Sequence, residues 1–246
     1  MKTIFLGDIH GRDIWKDIVT NEKPDRVVFI GDYFDTPNIP GPKQIENFKD
    51  IIAFKESGQC EVIMLIGNHD WHYFKRFGFA ETYSGFQPKY ALIIAHLLET
   101  NEHHLQMAYQ LDEFLCSHAG ISVEFLANKT GIKELEVDKI ADIINNLYKE
   151  NPEAFHFDGM NPYGDNTYQT PIWIRPVSLM YANKDSLAPH VIQVVGHTAV
   201  KISIMDTEVT GGRYHFIDKL HNNYGHYLIY EDGTTREGHI TRETDS

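Results

Sequence analysis

Residues 2–11 read Lys2-Thr3-Ile4-Phe5-Leu6-Gly7-Asp8-Ile9-His10-Gly11. A short apolar run without polar alternation is the pattern of a strand covered on both faces. It stops at Gly7 and then delivers Asp8 and His10 into a glycine-flanked turn. The same pattern returns four times. Arg26–Ile30 leads into Gly31-Asp32-Tyr33-Phe34-Asp35, and Glu61–Ile66 leads into Gly67-Asn68-His69-Asp70. Glu113–Cys116 leads into Ser117-His118-Ala119-Gly120, and Val191–Val195 into Gly196-His197-Thr198. The five runs read as buried strands of a covered sheet. Polar residues at their C-terminal ends lie where open α/β sheets gather ligands.

Helical patterns fill the gaps between the first strands. Asp13–Thr20 is short and amphipathic. Pro42–Ser57 carries Ile45, Phe48, Ile51, Ile52 and Phe54 close to helical spacing, and Tyr90–Glu99 also reads as helix. Alternating strand and helix predicts an α/β layered fold. Ser122–Asn128 and Glu134–Lys149 read as two more helices, followed by Asn151–Thr170, rich in Pro, Gly, Asn, Asp and aromatics. Residues 121–190 read as an insertion, or cap, over the sheet edge near the site, within one domain spanning 1–246. Lys201–Thr207, Tyr214–Asp218 and His226–Glu231 read as strands of an antiparallel meander that builds a second sheet. Residues 234–246 read as a loose polar tail.

Composition narrows the partners. The chain has 246 residues and is 42% hydrophobic, enough for one substantial core and too apolar for disorder. Lys and Arg number 22 against 35 Asp and Glu, a net charge of −13. Phosphate backbones and anionic lipid repel such a chain, and no basic run overrides the field. A nucleic acid duplex and a membrane are therefore excluded as expected partners. An anionic substrate would need bound cations to attract it. No apolar stretch is long enough to span a bilayer, and Met1–Asp8 is a strand start rather than a signal peptide. Cys60 and Cys116 give no disulfide framework and no zinc ribbon, and read as reduced and buried. The expected compartment is the cytoplasm.

The turn residues are ligand types. Asp-x-His at 8 and 10 places two donors on one turn, and Asp32 supplies a carboxylate able to bridge two cations. Asn68 offers an amide oxygen, and His118 and His197 offer imidazoles. Oxygen and nitrogen donors without thiolate suit Mn, Fe or Zn. Two cations about 3.5–4 Å apart can grip a phosphate and make hydroxide from a bridging water. Singly, each motif is also ordinary turn chemistry; their conjunction at five strand ends points to a site. No Cys-x₅-Arg loop occurs, which excludes a phosphocysteine route.

In this order, Gly-Asp-Ile-His-Gly (7–11), Gly-Asp-Tyr-Phe-Asp (31–35), Gly-Asn-His-Asp (67–70), Ser-His-Ala-Gly (117–120) and Gly-His-Thr (196–198) resemble the calcineurin-like metallophosphoesterase superfamily. Within it the chain resembles the serine/threonine phosphoprotein phosphatase branch of bacterial and phage type. Residues 67–72 are also similar to symmetrical diadenosine tetraphosphatases. The resemblance implies a four-layer α/β/β/α sandwich of two mixed sheets. It implies two divalent or trivalent metal ions, Mn, Fe or Zn. Asp8, His10 and Asp32 would hold the first, and Asp32 would bridge to the second, completed by Asn68, His118 and His197. His69 would be the general acid, with Asp35 accepting a hydrogen bond from its ring. Trp173-Ile174-Arg175 resembles the Trp-x-Arg stretch of bacterial phosphatases, so Arg175 would bind phosphate.

The implied activity is phosphate ester hydrolysis by a metal-bridged hydroxide, first on phosphoserine or phosphothreonine in proteins. Dinucleoside polyphosphate, a small phosphomonoester or a cyclic phosphodiester are the alternatives. A non-catalytic metal-binding scaffold is the alternative of a different class. Thr36 stands where the phosphatase branch carries a clamp Arg, with Arg12 as a candidate replacement. Ala199 stands where many superfamily members have a second His, as in the phosphoprotein branch. His72, His156, His190, His215, His221 and His226 read as structural or exposed. Tyr33 and His72 read as the nearest of the unmatched residues to the site. Tyr163, Tyr168 and Trp173 read as packing within the insertion, with lining of a substrate groove as the alternative.

Overall fold

Alternation within the apolar runs sets the layering. The computed structural model describes residues 1–77, 84–132, 137–158, 166–184 and 191–242. Its first half runs β1 (Lys2–Leu6), α1 (Trp15–Glu22), β2 (Arg26–Phe29), α2 (Gly41–Glu56), β3 (Glu61–Leu65), α3 (Asn68–Trp71), α4 (Ala91–Thr100), β4 (Leu105–Gln106). Then follow β5 (Ala108–Leu111), β6 (Phe114–Ser117), α5 (Val123–Thr130), α6 (Ile140–Glu150) and α7 (Pro176–Asn183). The chain continues through β7 (Ile192–Val195), α8 (Thr207–Thr210), β8 (Tyr214–Phe216), β9 (Tyr224–Glu231) and β10 (Thr234–Thr241).

Two mixed sheets result, with orders β10-β9-β1-β2-β3-β4 and β5-β6-β7-β8. In the first, β1 to β4 are parallel and the β9–β10 hairpin adds antiparallel to β1. In the second, β6, β7 and β8 are parallel and β5 is antiparallel. Phe5, Val28, Leu65 and Leu228 face the other sheet and pack on Phe114, Cys116 and Val194. The Phe5 and Phe114 rings lie 5.7 Å apart. Ile4, Leu6, Val27 and Phe29 cluster instead with Trp15 and Ile18 of α1 and Phe48 and Ile51 of α2. Beyond the second sheet, Val195, Tyr214 and Phe216 meet Leu179 of α7. The period-2 alternation of each strand thus feeds two apolar faces. Each fully buried large side chain contributes roughly 1.5–3 kcal/mol. This is the layered α/β architecture that the resemblance implied.

Several expectations change. The five apolar runs do not share one sheet: β1, β2 and β3 lie in the first, β6 and β7 in the second. The second sheet is not a C-terminal meander. β8 runs parallel to β7, while β9 and β10 extend the first sheet. Lys201–Thr207 forms no strand; Asp206 caps α8, its carboxylate accepting the Val209 N–H at 3.0 Å. The supposed tail is β10, paired with β9 from Thr234 to Thr241, and Arg242 bonds Asp13 and Asp17. Its polar residues mark an edge strand with one solvated face. Residues 243–246 and 133–136 lie outside the described residues. Cys60 is half-buried rather than buried, while Cys116 is fully buried; both are free. In the 121–190 stretch, α6 runs along β5, and Asn145 Oδ1 accepts the Met107 and Ala108 N–H groups at 2.9 and 3.1 Å. No helix among the described residues is long and apolar enough to cross a membrane.

Candidate metal centre

Glycine lets the backbone close in on two carboxylates. A Cβ on Gly67 would stand 2.1 Å from Asp32 Oδ1, and one on Gly196 would stand 2.1 Å from Asp8 Oδ1. Only hydrogen fits there, so a residue one or two positions on in each turn can donate inward. The His69 N–H reaches Asp32 Oδ1 at 2.8 Å, and the His197 N–H reaches Asp8 Oδ1 at 2.9 Å. His10, Asp32, Asp35 and His197 all have positive φ, between 43° and 68°. Such backbone costs on the order of 1–3 kcal/mol per residue and persists where surrounding structure enforces it.

Asp70 does much of the enforcing. Fully buried, it accepts N–H groups of Asp32 (2.8 Å), Tyr33 (2.8 Å) and Gly67 (2.9 Å), tying the loop after β2 to the loop after β3. Backbone bonds from His10 to Asp32 O (2.6 Å) and from Gly196 to His118 O (2.8 Å) tie in the remaining loops. Asp70→Ala strands three buried donors. It is expected to cost about 3 kcal/mol or more, read as a shift in the urea midpoint. An unchanged midpoint would refute this role.

The six side chains assigned to metal by resemblance converge. Asp8 and Asp32 are 2% and 1% exposed, and with His118 they bring ligand-type atoms within 4.8 Å of one another. His118 Nε2 lies 3.3 Å from Asp32 Oδ2 and 2.9 Å from Asn68 Oδ1, and His197 Nδ1 lies 2.8 Å from Asn68 Oδ1. His10 Nε2 lies 3.9 Å from Asp8 Oδ2 and 3.8 Å from Asp32 Oδ2.

The donor set fits cations. The Nδ1–H of His10 donates to the Phe34 carbonyl and burial pushes the ring pKa down to about 4. Its neutral Nε2 therefore aims a lone pair at two carboxylates. Outer nitrogens bonded to backbone carbonyls are the usual orientation of metal-ligating histidines. His118 repeats it, Nδ1 donating to Ile30 O at 3.0 Å. Burial opposes charge on His118, yet Asp32 and Asp8 raise it to about 10. The pocket draws positive charge to the spot between His118 and Asp32. Burial pushes Asp8 well above the carboxylate range, with Asp218 adding to the shift. Burial works the same way on Asp32, but His118, His69 and His10 hold it well below.

Beside the cage lies the pair implied as acid and brace. His69 Nδ1–H donates to Asp35 Oδ2 at 3.1 Å, and the His69 and His10 rings meet edge-on at 5.2 Å. Burial disfavours charge on His69, but Asp32 and Asp35 raise its pKa to about 9. His72 Nε2 reaches the same carboxylate oxygen at 2.9 Å, and the Tyr73 hydroxyl donates to Asp35 Oδ1. Asp35, His69 and His72 thus form a second group of ligand-type atoms within 4.8 Å. The two histidines bond its one carboxylate.

Arg175 Nη1 donates to Thr198 Oγ1 at 2.9 Å, next to His197, and the Trp173 ring lies 6.0 Å from the His197 ring. Arg12 Nη1 donates to the Asp8 carbonyl at 3.1 Å and sits near Asp218. His72 lies beside the site, as its place next to Gly67–Asp70 suggests. Residue-by-residue reading misses Asp70, Tyr73 and Asp218: Asp70 appears there only as part of a motif, and nothing local distinguishes the other two. Tyr33 is fully buried and packs on Phe48 in the core, so only its backbone serves the site. His215 is buried on Ile204 O, His226 pairs with Glu237, and His156 is half-buried against Trp71. His221 is exposed and stacks on Tyr224, and Tyr168 is 40% exposed. Tyr163 and His190 lie outside the described residues.

A family model described as calcineurin-like phosphoesterase matches residues 1–220. No curated protein matches the sequence. Among solved structures, the cold-active protein-tyrosine phosphatase of a psychrophilic Shewanella species aligns with a TM-score of 0.59 and 17% identity. That alignment covers 98% of this chain and 80% of that one. A point mutant of a cold-active protein tyrosine phosphatase gives 0.62 and 18%, with the same coverage. A metallophosphoesterase from Sphaerobacter thermophilus gives 0.51 and 15%, covering 100% of this chain and 89% of that one. At these identities the likeness speaks to the fold alone.

Proposed function

The chain belongs to the calcineurin-like phosphoesterase family of dimetal phosphoester hydrolases, and from that premise we propose that it removes phosphate from phosphoserine and phosphothreonine in proteins. The observation that carries this reading is the braced imidazole beside the cage, His69 on Asp35 at 3.1 Å. Serine and threonine leave as alkoxides, which are strongly basic and need a proton in the transition state. The departing group of a phosphoanhydride is far less basic and gains little from an acid. A site that invests a buried carboxylate in holding one histidine suits the poorer leaving group.

Asp8, His10 and Asp32 would hold the first ion in this proposal, and Asp32, Asn68, His118 and His197 the second. Bound ions, manganese, iron or zinc, would supply Lewis-acid charge and an activated water. The chain's own residues do the rest. Asn68 and Arg175 orient the phosphate, the guanidinium offering a planar fork to two oxygens. Asp35 fixes Nδ1 of His69 as a donor, which leaves Nε2 to pass its proton to the departing oxygen. The free cysteines are in keeping with a reducing, cytoplasmic setting.

The test is a substrate panel with the manganese-loaded protein. Phosphoserine and phosphothreonine peptides are expected to exceed diadenosine tetraphosphate and a cyclic nucleotide in kcat/KM by at least about tenfold, roughly 1.4 kcal/mol of transition-state discrimination. A phosphotyrosine peptide belongs in the panel, because solved structures of this fold are described as tyrosine phosphatases. Preference for the dinucleotide would overturn the protein-phosphatase reading. Metal binding without any turnover would favour a scaffold.

A further inference from the structure

We propose that His72 and Tyr73 are positioning residues for His69, acting through Asp35; the claim rests on the phosphoesterase reading above. Asp35 is the meeting point. Its side chain is fully buried, and its backbone sits at φ 68°. Oδ2 receives His69 at 3.1 Å and His72 at 2.9 Å, and Oδ1 receives the Tyr73 hydroxyl. With donors on both oxygens, the carboxylate loses its soft terminal torsion, which is broad for an unrestrained Asp. The direction in which His69 donates is then set by three residues rather than one.

The brace continues outward. The Tyr73 hydroxyl accepts the Gln87 N–H at 2.8 Å, and Gln87 Nε2 donates to Gln44 Oε1 at 3.0 Å. Gln44 Nε2 donates back to the carbonyls of Thr36 (2.8 Å) and Ile39 (2.6 Å), in the loop that follows Asp35. The network therefore closes on itself: Asp35, Tyr73, Gln87, Gln44 and the 36–39 loop. Phe86 stacks on the Tyr73 ring at 4.8 Å and meets His72 edge-on at 6.0 Å, which holds both donors from behind. A merely structural cluster has no need to put its donors on the carboxylate that holds His69.

Tyr73→Phe keeps the ring and removes the donor to Oδ1. His72→Phe keeps bulk and removes one donor to Oδ2, and His72→Gln retains an N–H at similar reach. In Tyr73→Phe and His72→Phe, kcat on a phosphoserine peptide is expected to fall roughly tenfold or more, part of the 10²–10⁴ a positioned general acid contributes. KM, bound metal and turnover of p-nitrophenyl phosphate, whose leaving group needs little acid, should stay within about twofold. His72→Gln should restore most of the peptide rate. Long-range ¹H–¹⁵N spectra recorded above the His69 pKa of about 9, where the ring is neutral, should show His69 as the Nδ1–H tautomer in the parent and a mixture in Tyr73→Phe. Equal losses on both esters, or an undiminished peptide rate in both Phe variants, would overturn the proposal. If Tyr73→Phe does not fold, the two His72 variants decide by the same measures. If the parent hydrolyses no phosphoester, the function reading fails, and an unchanged His69 tautomer in the variants then separately refutes positioning.

Discussion

Asp32→Asn is expected to strip the cage of metal and abolish turnover while leaving a folded chain. Asp32 Oδ2 faces His118 Nε2 at 3.3 Å and His10 Nε2 at 3.8 Å, so one carboxylate oxygen serves both halves of the site. The amide substitute keeps an oxygen for the His69 N–H that now lies 2.8 Å from Oδ1. Its NH₂ turns toward the two imidazoles and replaces attraction for cations with ordinary hydrogen bonds. The charge that pairs with His118 and His69 is lost, so stability is expected to fall, but Asp8 still balances His118 and the chain is expected to remain folded. Metal per chain, read by plasma emission, is expected to drop by half or more, and kcat/KM by about 10³-fold or beyond, or 4 kcal/mol of transition-state stabilisation. Full metal content with full turnover would show that the bridge lies elsewhere.

His69→Asn separates chemistry from metal binding. The backbone N–H of residue 69 still donates to Asp32, and Asn68 beside it is untouched, so metal content should remain that of the parent. The variant loses the proton donor and leaves Asp35 with the His72 and Tyr73 bonds. Alkyl phosphate turnover is expected to fall about 10²–10⁴-fold. The loss should shrink steadily as leaving-group acidity rises across a series of aryl phosphates. Undiminished turnover of a phosphoserine peptide would end the assignment of His69 as acid.

The candidate site was legible in sequence because its signals are local. A strand of four or five covered residues, a glycine where a Cβ would strike Asp32 or Asp8, and a ligand-type side chain all fall within one short stretch. The site residues at positive φ, His10, Asp32, Asp35 and His197, sit in those same turns. Sequence places His72 near the site but does not show its bond to Asp35, which is 37 residues away in sequence. Tyr73 and the Gln87–Gln44 link escaped for the same reason. Asp70 looked like a fourth motif letter, and its work of bonding three N–H groups across two loops needed both loops in place.

From its residues alone, then, this chain declared strand after strand ending in a turn with a ligand-type side chain, since backbone sterics and covered-strand composition are properties of neighbours in the chain. Which strands share a sheet was undecided until the molecule packed. Phe5 and Val28 turn to Phe114 and Val194 across the sandwich, and the β9–β10 hairpin closes beside β1 rather than building the second sheet. The brace on His69 belongs to the same category. Burial and hydrogen-bond satisfaction select among partners far apart in sequence, and that selection has no local signature to read.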